Sequence, residues 1–193
     1  MQTMNRKIIT SVLLVFTFFS ITACSPKKAE ESREQMIEEA TSLPDTEIKI
    51  PSSLIGSEAD YIPESSAASA TVDEDNNISY QLDGNTRAQI LNALASDIEN
   101  SIADILADKE YYPNIADITV NADCTEFTVY LTTDTPNLYE STLLMSFYTL
   151  GDRYQIYNGV SLDEVKTVVV YLNQTTGTEL SKTASTSVSQ VNE

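Results

Sequence analysis

Apolar residues follow three different patterns along the 193 residues of this chain. Ile8 to Ala23 is one uncharged run, dense in Ile, Val, Leu and Phe, and it follows Arg6 and Lys7. From Ser25 to Asn77 apolar positions thin out and lose any period. They lie among 13 acidic and 4 basic residues and the prolines Pro26, Pro44, Pro51 and Pro63. At Ile78 a regular pattern begins, and it persists to about Lys182. Low apolar content with high charge leaves too little burial to offset chain entropy. The pattern therefore predicts a leader over 1–23, an acidic disordered tether over 24–77, a folded domain over 78–183 and a loose tail over 184–193.

Within the domain, Ile78, Tyr80 and Leu82 alternate with polar residues and predict a short strand ended by Asp83-Gly84. Thr86 and Gln89 have capping-box spacing at a helix start. Ile90, Leu91, Leu94, Ile98, Ile102, Ile105 and Leu106 then recur at helical spacing up to Asp108. After Pro113, Ile118 and Val120, then Phe127, Val129 and Leu131, alternate about a loop at 122–126, which predicts a β-hairpin. Thr135-Pro136 predicts the start of a second helix. Leu143, Phe147, Leu150, Tyr154 and Tyr157 keep helical spacing straight across Gly151, so the helix is expected to continue to a stop at Gly159. Val165 to Leu172 reads as a central strand, Asn173 to Gly177 as a turn and Glu179 to Lys182 as a short edge strand.

These elements predict an α+β fold with two helices on one face of a small antiparallel sheet. Their βαββαβ order resembles the ferredoxin-like arrangement, a likeness of element order alone. If Ile78–Leu82 stays unpaired, the expectation falls back to αββαβ with three strands. Neither topology names a function.

The N-terminal run is short for a membrane-spanning helix, which needs roughly 20 apolar residues. A basic start followed by such a run is the build of a secretory signal. Ile21, Thr22, Ala23 and Cys24 close it with an aliphatic residue, two small ones and a cysteine. This resembles the lipobox of bacterial lipoproteins, over the first 24 residues only. The resemblance implies lipid on the Cys24 thiol, removal of residues 1–23 and attachment to a cell membrane, facing outside the cytoplasm. An ordinary cleaved signal and an uncleaved anchor helix are the plainer alternatives. A flexible tether of about 50 residues would then give the domain a reach of roughly 40 Å.

Composition removes several chemistries. The chain has 29 acidic against 11 basic residues, a net charge of −18, with no His, no Trp, two Cys and five scattered Gly. Without His, no Ser-His-Asp triad or His-ligated zinc is available. The acid excess argues against nucleic acid as a partner. With Cys24 committed to lipid, no second cysteine is left in the chain to form a disulfide with Cys124, and burial is its commonest fate. Asp73-Glu74-Asp75-Asn76-Asn77 opens like a calcium loop, but Ile78 and Gly84 stand where Gly and Glu are needed. No metal or cofactor is therefore expected.

The acids fall on helix outer faces and in turns, which reads as solvated surface rather than a catalytic pair. A Ser-Lys pair needs a desolvated Lys, and Lys166, inside the expected central strand, has Ser161 nearby in the sequence. The tyrosines are the most suggestive residues. Most are expected in the core, but Tyr111 and Tyr112, in the loop after the first helix, are candidates for binding a protein or peptide partner. The expectation is a lipid-anchored, non-enzymatic binding or adaptor module. The alternative is a small His-independent hydrolase using carboxylates or Ser/Lys.

Overall fold

A computed structural model describes residues 43–51, 54 and 70–185. Cys24 and the leader lie outside these residues. So do much of the expected tether and residues 186–193 of the expected tail.

The described chain is α+β, with seven strands and two helices in two sheets. The first strand, β1 (Thr46–Ile50), was not expected. It pairs antiparallel with β3 (Ile78–Leu82), placing Ile48 opposite Tyr80 and Ile50 opposite Ile78. A two-residue strand, β2 (Thr71–Val72), flanks β3 on its other side. Ile48, Ile50 and Leu82 are buried. The folded unit thus starts before residue 78, and the tether expected over 24–77 is corrected at these stretches. The physical reason is local. Glu47-Ile48-Lys49-Ile50 alternates charged and apolar residues between Pro44 and Pro51, so one short strand can bury a face although its surroundings are poor in apolar residues.

Helix α1 (Gly84–Ala107) starts at an Asp83 cap, whose carboxylate accepts the Thr86 N–H at 2.9 Å. Asp83 therefore does the capping expected of Thr86. Ile90, Leu91, Leu94 and Ile98 are buried, as their spacing predicts. The hairpin follows as β4 (Ile115–Val120) and β5 (Glu126–Leu131), antiparallel.

Helix α2 (Leu138–Tyr157) begins three residues after the expected Thr135 cap. Asn137 caps it, and the capping box closes through Glu140. The helix runs through Gly151, as the apolar spacing predicts. A Cβ at Gly151 would collide with Thr167 Oγ1 and with the Cys124 carbonyl oxygen, so only glycine permits this approach. Asn158 ends the helix, and Gly159 follows in the left-handed region with φ +86°.

Strand β6 (Val168–Asn173) lies parallel to β5, and β7 (Glu179–Ala184) returns antiparallel to it. The second sheet is therefore mixed, in the order β4-β5-β6-β7. Strand β3 does not join it, so the ferredoxin-like pairing is not formed. The three-stranded fallback is exceeded by β7. Instead, β3 lies between β1 and β2 in the first sheet. The domain also extends past 183, because Ser185 Oγ donates to Asp152 and accepts from the Thr167 N–H.

One core of buried residues draws on both helices and on strands of both sheets. Phe127, Val129, Leu131, Val169 and Tyr171 are buried, and the Phe127 and Phe147 rings stack 4.8 Å apart. Each such side chain contributes about 1.5–3 kcal/mol on burial.

Candidate functional site

The two tyrosines singled out from the sequence part company. Both follow α1, whose C-terminal cap is Asp108. The Asp108 carboxylate accepts the N–H groups of Glu110 and Tyr111, each at 3.2 Å, and its carbonyl accepts the Tyr112 N–H at 3.0 Å. This tight turn sends Tyr112 inward, half-buried against the core, and Tyr111 outward.

Tyr111 does not stand alone. The Asn137 side-chain amide donates to the Tyr111 carbonyl at 3.1 Å, tying the turn to the start of α2. The Tyr111 and Tyr139 rings meet edge-on, with centroids 4.9 Å apart and planes at 85°. Beneath them lies the fully buried Glu140. Its carboxylate accepts the Asn137 N–H at 2.7 Å, the Asn114 N–H at 2.8 Å and the Asn114 side-chain amide at 3.2 Å. Tyr171 Oη donates to the Glu140 carbonyl at 2.7 Å. A buried charge with this many donors is satisfied, and it anchors the turn, the cap and the sheet to one another.

From this anchor the outer face of α2 runs as a stripe of Leu138, Tyr139, Thr142, Met145, Ser146 and Thr149, all exposed. Leu138 is 76% exposed, Met145 63%, Tyr139 52% and Tyr111 43%. The stripe carries no charge, although the chain as a whole carries −18. By contrast, the outer face of α1 exposes Asp97 and Asp104. Exposed apolar side chains gathered on one face, with aromatic rings held in place, are the usual composition of a docking surface.

The sequence pointed to Tyr111 but not to Leu138, Tyr139 and Met145, which are exposed as well. The signal was present: 138, 142, 145 and 149 share a face opposite Leu143, Phe147 and Tyr154.

The other candidates separate in space. Ser161 is exposed and donates to Glu164 at 2.7 Å, while Lys166 is exposed and lies ahead of β6 rather than inside a strand. Lys166 is therefore not the desolvated base that a Ser-Lys pair needs. Cys124 is buried at the β4–β5 turn, and burial pushes its thiol up to about 12, with Asp123 adding to the effect. Asp73 is engaged by the Lys49 ammonium at 2.6 Å and by the Asn77 backbone and side chain. No group of three or more potential metal ligands occurs among the described residues. Nor is any helix among them long and apolar enough to cross a membrane.

No protein-family model, curated protein or solved structure matches this chain.

Proposed function

We propose that this chain is a lipid-anchored extracytoplasmic lipoprotein, held at a cell membrane through lipid on Cys24, whose α+β body serves as a non-enzymatic binding module. Both helices cover one face of the mixed sheet, and the outer stripe of α2 is the surface offered to a protein or peptide partner. One observation carries the binding role: the exposed, charge-free stripe of α2 that Tyr111 extends. The sequence Ile21-Thr22-Ala23-Cys24 carries the anchoring role. Two acyl chains hold a protein stably where one does not, so a doubly acylated Cys24 needs no further membrane contact.

Two experiments test this reading. Metabolic labelling with a fatty acid should mark the wild-type chain and leave Cys24→Ser unmarked; equal labelling of both removes the anchor. A photo-crosslinking residue at position 139 in intact cells should give a discrete adduct, while one at Asp97 on the outer face of α1 should give none. Identical patterns at both positions would remove the binding surface.

A further inference from the structure

The same surface has a charged margin, and the margin defines the occupant. Building on the proposed docking role of this face, we infer that its occupant is a cationic amphipathic helix of a partner protein. Its apolar side would lie along α2 and its Lys or Arg residues would face the acidic margin.

Three observations lead there. First, acidic residues border the stripe. The exposed Glu110 and the half-buried Asp108 flank Tyr111, and the exposed Asp134 lies three residues before the Asn137 cap. The basic residue of that turn, Lys109, is folded back, its Nζ donating to the Ile115 carbonyl at 2.7 Å. Second, the positive end of the α2 dipole is already met by the buried Glu140 carboxylate within the capping box. Third, the stripe from 138 to 149 spans about 17 Å, which matches about three turns of a helix laid alongside.

Charge weighs against the other occupants. A second copy of the chain brings another −18, and an anionic lipid surface repels the body in the same way. A basic segment gains from the same field, both on approach and once docked.

The test uses the full-length chain in nonionic detergent, with a micelle-only blank subtracted. The probes are three fluorescent 14-residue helical peptides sharing one leucine face, their other positions filled with Lys, Gln or Glu. The Leu/Lys peptide should bind at least tenfold more tightly than the Leu/Gln peptide, and the Leu/Glu peptide more weakly still. Met145→Glu should weaken Leu/Lys binding at least tenfold although it adds negative charge. Leu138→Glu, at a more exposed position, serves as the second variant, and unchanged thermal midpoints show that both are folded. Asp108→Asn with Glu110→Gln should weaken binding several-fold, whereas Asp163→Asn with Glu164→Gln, after the other end of α2, should not.

Tighter binding by Met145→Glu would mean bulk charge without docking, and it overturns the inference. Equal binding of the Leu/Lys and Leu/Gln peptides, still lost in Met145→Glu, overturns the cationic occupant and keeps the docking face. Insensitivity of every peptide to both glutamate variants overturns the docking face itself. A dimer seen by sedimentation and dissociated by Met145→Glu makes the occupant a second copy and also overturns the inference.

Discussion

The Arg87 side chain, in the first turn of α1, donates through Nε to the Tyr157 carbonyl at the end of α2, 2.8 Å away. Its other nitrogens reach Thr46 Oγ1 at 3.0 Å and the Asn158 carbonyl. One buried guanidinium thus fastens β1, α1 and the C-terminal carbonyls of α2, where the helix dipole favours a cation. All of these acceptors are neutral oxygens, so the fork geometry does the holding rather than an ion pair.

Arg87→Ala should therefore destabilise the protein by about 2–4 kcal/mol, since hydrogen bonds to charged groups contribute about 1.5–3 kcal/mol and buried carbonyls are left without partners. Arg87→Lys should recover less than half of this, because one ammonium cannot span the same acceptors. Urea midpoints of the three proteins check it, and full recovery by lysine would contradict the clamp.

Gly151→Ala sets two effects against each other. Alanine favours a helix over glycine by about 1 kcal/mol. Its Cβ, however, would press on Thr167 Oγ1 and on the Cys124 backbone oxygen. Overpacking of a close contact costs typically about 1–3 kcal/mol, so the variant should be less stable than the wild type. A raised thermal midpoint would show that the helix is not held so tightly against this turn.

Asp152 should give the protein a distinctive pH response. Burial raises its carboxyl above the ordinary value of 3.8, while hydroxyl donation from Thr167 at 2.7 Å and Ser185 at 2.9 Å pulls the other way. The folded form then holds the proton more tightly than the unfolded chain. The contribution of the neutral acid is fully present below the unfolded value and is lost as pH rises through the raised folded value. Compared with Asp152→Asn, the wild type should lose stability as pH rises upward from the ordinary carboxylate range. A stability difference that stays flat over that rise would contradict this.

The acidic loop at 73–77 should ignore calcium. The Lys49 ammonium engages one Asp73 oxygen, and the Asp75 and Asn77 N–H groups engage the other, each at 2.9 Å. These partners, the Lys49 ammonium first among them, hold the Asp73 carboxyl well below the usual carboxylate range. Millimolar calcium should leave the thermal midpoint of the wild type unchanged. A rise of several degrees that disappears in Asp73→Asn would restore the calcium loop.

Tyr111 and Tyr112 show how far a sequence can be read. Adjacent and chemically identical, they are separated by a single turn into an exposed residue and one half-buried against the core. Nothing in their local pattern distinguishes them, because the difference rests on hydrogen bonds to Asp108 and on Asn137, 26 residues further on. Tyr139 was hidden for another reason. Thr135-Pro136 has good start chemistry, but the Glu140 carboxylate pairs with Asn114 as well as with its own cap, and that long-range demand moves the start to Asn137.

By itself the sequence determined the kinds of element and their approximate places. The α1 stripe, the passage of α2 through Gly151, the β4–β5 hairpin and the returning edge strand are all periodic, and a period is a property of neighbouring residues. Only the tertiary structure decided which strand Ile78–Leu82 would pair with, which tyrosines would face water, and that Arg87 would be buried. Each of these depends on residues far apart in the chain, as Arg87 and Tyr157 are at 70 positions, and such meetings follow from packing rather than from local pattern.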